Sequence, residues 1–214
     1  MEKRKILIAV PCMDMVSARF AQSLATLKKV DNCVVSFLIN SLIYDARNKL
    51  AGYAVDGEFD FVLWLDSDMV FPPNTLERMV QTLDEHPEID ILNALYFRRG
   101  TPFSPVAYDR LEINDRGECD YEDMKDVPTE LSEIAGCGFG CVLMRTDCLL
   151  DLAAKFGAVW FTPMGNVGED CSFCIRARNE GYKIYCDPTI KIGHMAYAPV
   201  DGSVYEATRE DKQK

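Results

Sequence analysis

Apolar residues in this chain fall in short unbroken runs, and stretches with helical spacing lie between them. Ile6 to Val10 is the first run, and its continuity predicts a strand buried on both faces. Pro11 to Ser17 reads as a loop. Ser17 is placed to cap a helix to about Lys28 that carries Phe20, Leu24 and Leu27 on one face. Cys33 to Leu38 is the second strand. Leu42, Ala46, Leu50 and Tyr53 then space a helix from Leu42 to Val55, closed by Gly57. The third run, Phe61 to Leu65, is too short for a membrane span and right for one buried strand. Asn74 with Glu77 predicts a capping box for the next helix, whose stripe is Leu76, Met79, Val80 and Leu83 and which ends at His86-Pro87. Ile89 to Tyr96 is the fourth strand. Strands alternating with helices in this way predict an α/β fold with a mostly parallel central sheet flanked by helices.

The rhythm breaks between Arg98 and Glu133, a stretch rich in Pro, Asp and Glu. It has too few apolar residues for a core of its own, so it reads as an excursion with short strands. Gly136 to Gly140 leads into a strand, Cys141 to Met144. Thr146 or Asp147 caps a helix to about Phe156. After a loop with Pro163, Gly165 and Gly168, Glu169 to Glu180 reads as a helix closed by Gly181. Tyr182 to Cys186 and Thr189 to Ile192 read as short strands around Asp187-Pro188. The expected organisation is a single domain over 1–200 with a polar tail over 201–214.

Composition narrows the function. The 214 residues are 48% apolar and 27% charged, as in an ordinary soluble domain, and no run reaches the length of a membrane helix. The short run after Met1-Glu2-Lys3-Arg4-Lys5 lacks a small-residue cleavage pattern, which argues against a signal peptide. The nine scattered cysteines then predict reduced thiols and a cytoplasmic protein. A net charge of −11 repels nucleic acid, and it repels a nucleoside diphosphate unless a cation stands between.

The candidate chemistry is acidic. Asp66 and Asp68 appear as the third strand ends, where open α/β sheets bind ligands. On an extended chain they point the same way, and paired hard oxygens suit Mg²⁺ or Mn²⁺. An acidic turn is the plain alternative. Arg47, within Asp45-Ala46-Arg47-Asn48, has the planar fork for a phosphate or base, or else faces solvent on its helix. Gly136-x-Gly138-x-Gly140 lets a backbone approach a ligand or simply pack. It is no dinucleotide fingerprint, because its third glycine is misplaced and a strand follows it. Gly168-Glu169-Asp170 puts two acids in a first helical turn, as caps or with one as a general base. Of the two histidines, His86 looks structural, while His194 follows a glycine and a strand and suits a metal. Arg98 and Arg99 follow the fourth strand, within reach of phosphates bound at the strand ends.

Taken in order, Ala46-Arg47-Asn48, the strand with Asp66-Ser67-Asp68, Gly136 to Gly140, Gly168-Glu169-Asp170 and Gly193-His194 resemble the nucleotide-diphospho-sugar glycosyltransferases of the GT-A fold. The resemblance is closest to family 2-like members and runs from Ile6 to about His194. It implies a single Rossmann-like GT-A domain that transfers a hexose from a nucleotide sugar to a glycan, protein or small-molecule hydroxyl, with inversion. It implies Asp68 as direct metal ligand, Asp66 at the ribose or a water-mediated contact, and His194 as the C-terminal metal ligand. Asp170 is implied as base beside Glu169. Arg47 and Asn48 fall on the nucleotide side, and Gly138 falls by the sugar and acceptor. The Q-x-x-R-W signature of processive synthases is missing. A nucleotidyltransferase should carry glycine and lysine after the first strand, where this chain has Pro11-Cys12-Met13-Asp14-Met15. A cysteine-based metal or redox module should bring a second pair beside Cys171-x-x-Cys174.

Overall fold

The computed structural model describes residues 4–30 and 32–196, so the tail over 201–214 lies outside the described residues. Strands β1 (Lys5–Pro11), β2 (Asn32–Leu38) and β3 (Phe61–Leu65) pair in parallel, joined by helices α1 (Ala18–Thr26) and α2 (Ile43–Asp56). A short β4 (Met69–Val70), helix α3 (Thr75–Glu85) and β5 (Ile91–Ala94) follow. The excursion holds β6 (Ala107–Ile113), β7 (Cys119–Asp123) and β8 (Ser132–Glu133). Then come β9 (Gly136–Cys137), β10 (Cys141–Arg145), α4 (Asp147–Phe156), α5 (Glu169–Asn179), β11 (Ile184–Asp187) and β12 (Gly193–His194).

The main sheet runs β2-β1-β3-β10-β5-β11-β8. β8 and β10 oppose the other five strands. Successive strand residues face opposite sides, so each side buries its own layer. Ile6, Ile8, Leu63 and Leu65 pack with Phe20 of α1 and with the predicted stripe of α3. Leu7, Ala9, Val62 and Trp64 pack with Leu50 of α2, Leu149 of α4 and Phe173 of α5, and Ala107 and Leu111 of the excursion join this second layer.

Insertion of the antiparallel β10 positions the site. Its first residue, Cys141, pairs with Leu65, the last of β3. The glycine run that enters β10 therefore lies where β3 delivers its acids. The Gly140 carbonyl accepts the Asp66 N–H at 3.0 Å.

Several local expectations give way. Asn74 sits at φ −94°, ψ 11°, not extended, and its side chain makes no cap bond. The Thr75 hydroxyl instead bonds the Pro72 carbonyl at 2.8 Å. Thr146 is likewise helical and makes no side-chain cap bond, whereas Ser17 caps α1 through the Phe20 N–H at 3.1 Å. Thr189 to Ile192 forms no strand, because the Asp187 carboxylate accepts the Thr189 N–H at 2.8 Å and closes a turn. The strand there is β12, which pairs His194 with Met69, and the Met195 N–H bonds the Asp68 carbonyl at 2.9 Å.

Candidate active site

β3 ends at Leu65 and the chain turns through Ser67 and Asp68. The chain between the two acids is therefore not extended, contrary to the expectation, and the acids meet different partners. Asp66 Oδ1 pairs with Arg47 Nη2 at 2.8 Å. Asp68 Oδ2 meets Arg99 Nη1 at 2.9 Å and His194 Nε2 at 3.4 Å. The His194 Nδ1–H donates to the Phe97 carbonyl at 2.9 Å, which fixes the ring and turns Nε2 toward Asp68. Burial pushes the Asp68 pKa up, but His194 and Arg99 outweigh it and the net shift is down. The hydrogen bond to Asp68 raises that of His194 against its burial.

Arg47 is only 2% exposed. Its guanidinium lies 5.9 Å from the Trp64 ring, 5.6 Å from Phe139 and 5.9 Å from Phe161. Nε is 3.5 Å from Glu169 Oε1, an ion pair without hydrogen-bond alignment, and Nη1 has no hydrogen-bond partner among the described residues. Burial pulls its pKa down, yet Asp66, Glu169 and Asp170 more than offset this, so it stays charged. The same burial raises the Asp66 pKa, with Arg47 opposing. One buried cation thus ties the acid that follows β3 to the acid from α5.

Asn48, one residue on, turns to the loop before α5. Its Oδ1 accepts the Phe161 N–H at 2.8 Å, and its Nδ2 donates to Thr162 Oγ1 at 3.3 Å. Arg176 grips the same loop through the Trp160 and Thr162 carbonyls at 3.0 and 2.6 Å. This clamp delivers Gly168, Glu169 and Asp170. Asp170 Oδ1 accepts the Cys171 N–H at 2.7 Å. A helix N-terminus lowers a carboxylate pKa, but burial and then Glu169 raise that of Asp170 above its ordinary value. The result is an unusually basic carboxylate.

The glycine run makes room for Tyr96. A Cβ at Gly138 would collide with the Tyr96 hydroxyl and lie 3.5 Å from Asp170 Oδ2. One at Gly140 would lie 2.7 Å from Tyr96 Cζ. The Gly140 N–H donates to the Tyr96 oxygen at 3.1 Å, so it is not free to cradle a ligand. Burial and the charge of Asp66 hold the phenol well above its usual pKa. The Tyr96 ring meets the His194 ring edge-on at 5.4 Å. Beside the acids opens a cleft of about 270 Å³, walled by Pro11 at the end of β1 with Cys12 and Met13, by Ile43 and Ala46 of α2, and by Asp66, Ser67 and Asp68.

The family model for glycosyltransferase like family 2 matches residues 6–211. The chain belongs to this family. Two solved structures share the fold of this glycosyltransferase. A197 from STIV is 17% identical with a TM-score of 0.56, over 92% of this chain and 96% of that one. GalNAc-T7, solved with UDP, GalNAc and Mn²⁺, is 11% identical with a TM-score of 0.58, over 92% of this chain and 44% of that one. No curated protein sequence matches significantly.

In this glycosyltransferase the structure gathers Arg47, Asp66, Asp68, Gly138, Glu169, Asp170 and His194, while Ser67 lines the cleft. Arg98 goes elsewhere, to Asp123 at 2.6 Å, and its neighbour Arg99 reaches Asp68. Sequence reasoning missed Tyr96, whose signal was an aromatic residue at the end of a strand. Among the described residues no group of three or more His, Cys, Asp or Glu could hold a metal, and no helix is long and apolar enough to cross a membrane.

Arg47→Met should test the ion bridge. Removing one partner of a buried pair costs about 3–5 kcal/mol. The cost here should be smaller, because the Asp66 side chain keeps 30% exposure. Urea denaturation should show a lowered midpoint, and an unchanged midpoint would mean that the bridge contributes nothing to stability.

Proposed function

We propose that the chain transfers a sugar from a nucleoside diphosphate to an acceptor hydroxyl with inversion, using Mn²⁺ or Mg²⁺. The observation that supports this most is the pairing, through Arg47, of the acid that follows β3 beside the cleft with the acidic first turn of α5. The apolar walls of the cleft suit a nucleobase, and Asp66 and Ser67 suit the ribose side. Asp68 and His194 would hold the cation. Their facing atoms lie 3.4 Å apart, and the second His194 nitrogen is anchored on a carbonyl, as metal-binding histidines usually are. Two protein ligands suffice where phosphate oxygens and water complete the shell. When bound, the cation would offset charge on the leaving diphosphate. Asp170 would take the proton of the acceptor hydroxyl, and one in-line displacement would invert the anomeric carbon. Arg47 would act by holding Asp66 and Glu169, Asn48 by holding the loop, and Gly138 by leaving space beside Asp170. Buried thiols such as Cys137 and Cys174 fit a reducing, cytoplasmic setting.

A thermal-shift screen of sugar nucleotides with Mn²⁺ tests this, with UDP-sugars first because GalNAc-T7 was solved with UDP and Mn²⁺. A donor at about 100 times its Kd adds about 2.7 kcal/mol, or roughly 5–11 °C for a chain of this size. If no sugar nucleotide raises the melting temperature, the reading fails. Proton NMR of the product anomeric centre reports inversion.

A further inference from the structure

The β6–β7 hairpin turns two tyrosines to one side, facing the start of α5. Residues directly opposite on an antiparallel pair share a face, and Leu111 opposes Tyr121. In unbroken register Tyr108 would therefore face away from Tyr121. A register shift between Tyr108 and Arg110 pairs Tyr108 with Asp123 instead, which brings it round to the Tyr121 side. The two rings meet edge to face, 5.8 Å apart.

Between these rings and the first turn of α5 lies a second cleft of about 250 Å³, with Arg98 and Cys119 also on its wall. It closes on Gly168 and Cys171, the residues around the Asp170 carboxylate. The Cys171 N–H donates to Asp170 Oδ1 at 2.7 Å, and a Cβ at Gly168 would lie 3.2 Å from that oxygen. Two residues of the cleft wall thus adjoin the Asp170 carboxylate, and the cleft is lined by none of the residues of the one between β1 and α2.

We propose that this cleft is the acceptor subsite and that the acceptor is an uncharged sugar, its ring stacked on Tyr121 with Tyr108 at its edge. This assignment rests on the transfer reading above. Tyr121 is 53% exposed, although it is a large aromatic residue. An aromatic ring beside hydrogen-bonding groups matches a pyranose, which has a C–H face and a hydroxyl rim. The volume suits about one ring. Charge argues against a phosphate-bearing acceptor, because Arg98 is already paired with Asp123 at 2.6 Å and the Asp170 carboxylate adjoins the wall residues Gly168 and Cys171. In the transfer, the acceptor oxygen bonds the anomeric carbon as the bond from that carbon to the diphosphate oxygen breaks. The electron pair leaves with the diphosphate, and the hydroxyl proton passes to Asp170.

Saturation-transfer NMR on the full chain, with methyl glycosides of glucose, galactose, mannose and N-acetylglucosamine as probes, tests the site without a known donor. At least one glycoside should bind at millimolar concentration. Tyr121→Ala should weaken it roughly three- to ten-fold, Tyr121→Phe should restore it, and calorimetric UDP–Mn²⁺ affinity should stay unchanged in both. No glycoside binding, equal binding by Tyr121→Ala, or displacement of the glycoside by a polyprenyl phosphate or a serine peptide overturns the proposal. Tyr121-dependent glycoside binding in a protein that binds no nucleoside diphosphate would keep the sugar site and overturn the transfer reading instead.

Discussion

Asp170→Asn should fold, keep its nucleoside-diphosphate affinity and lose about 10²- to 10⁴-fold in transfer, the usual range for a missing general base. Asn is nearly isosteric, and its amide oxygen can still accept the Cys171 N–H that Asp170 holds at 2.7 Å. What it cannot do is take a proton. The wild-type pH profile should carry the same signature. Burial, then Glu169, raises the Asp170 pKa, so the rate should fall with acid at a higher pH than an ordinary carboxylate gives. Below that raised value the acid is protonated and no base is present, and as pH rises through it the rate climbs. Stability runs the other way. A folded pKa above the unfolded one favours the folded state at low pH, and that contribution is lost as pH rises through the folded value. Above that value the protein holds a half-buried, ionised acid at a cost, so Asp170→Asn should be more stable than wild type there. Glu169→Gln is the control. It breaks the 3.5 Å pair with Arg47 and should lose less rate. Transfer at the wild-type rate, or donor affinity lost in step with activity, would reassign Asp170 to a cap or a donor contact.

The elements legible beforehand were those whose signal is local. Ile6 to Val10 and Phe61 to Leu65 announce buried strands by unbroken apolarity, and α2, α3 and α5 follow spacing and end signals. Pairing direction is not local. Nothing in Cys141 to Met144 says that the strand enters between β3 and β5 and runs against both, although this brings Gly140 beside Asp66. The candidate site divides the same way. Its acids and His194 stand out by type and position. Their partners do not, because Arg47 becomes a buried bridge only once Trp64, Phe139 and Phe161 converge from three separate segments. Choosing Arg99 over Arg98 for Asp68 depends on where the excursion places Asp123, and the role of the glycine run depends on a tyrosine some 40 residues earlier.

Removing divalent cations should release the nucleoside diphosphate. The chain carries −11 overall, and Asp66 and Asp68 line the cleft between β1 and α2. Two like charges about 4 Å apart repel by about 4 kcal/mol at an effective dielectric near 20, close to a thousandfold in binding. Among the described residues Arg99 is the one cation paired to Asp68 besides the histidine, and its side chain is 57% exposed, so solvent weakens what it can offset. We therefore expect EDTA to lower the calorimetric affinity for UDP, or for whichever nucleoside diphosphate the screen selects, by about two to three orders of magnitude, and Mn²⁺ or Mg²⁺ to restore it. Asp68→Asn should behave in Mn²⁺ much as wild type does in EDTA. His194→Ala should need more Mn²⁺ for the same affinity, while the acid limb set by Asp170 stays in place, because His194 contacts Asp68, Phe97 and Tyr96 and not the base. Arg99→Ala should change affinity by less than either. Equal affinity with and without chelator would remove the cation from the reading and leave Arg99 and His194 as the groups that face the diphosphate.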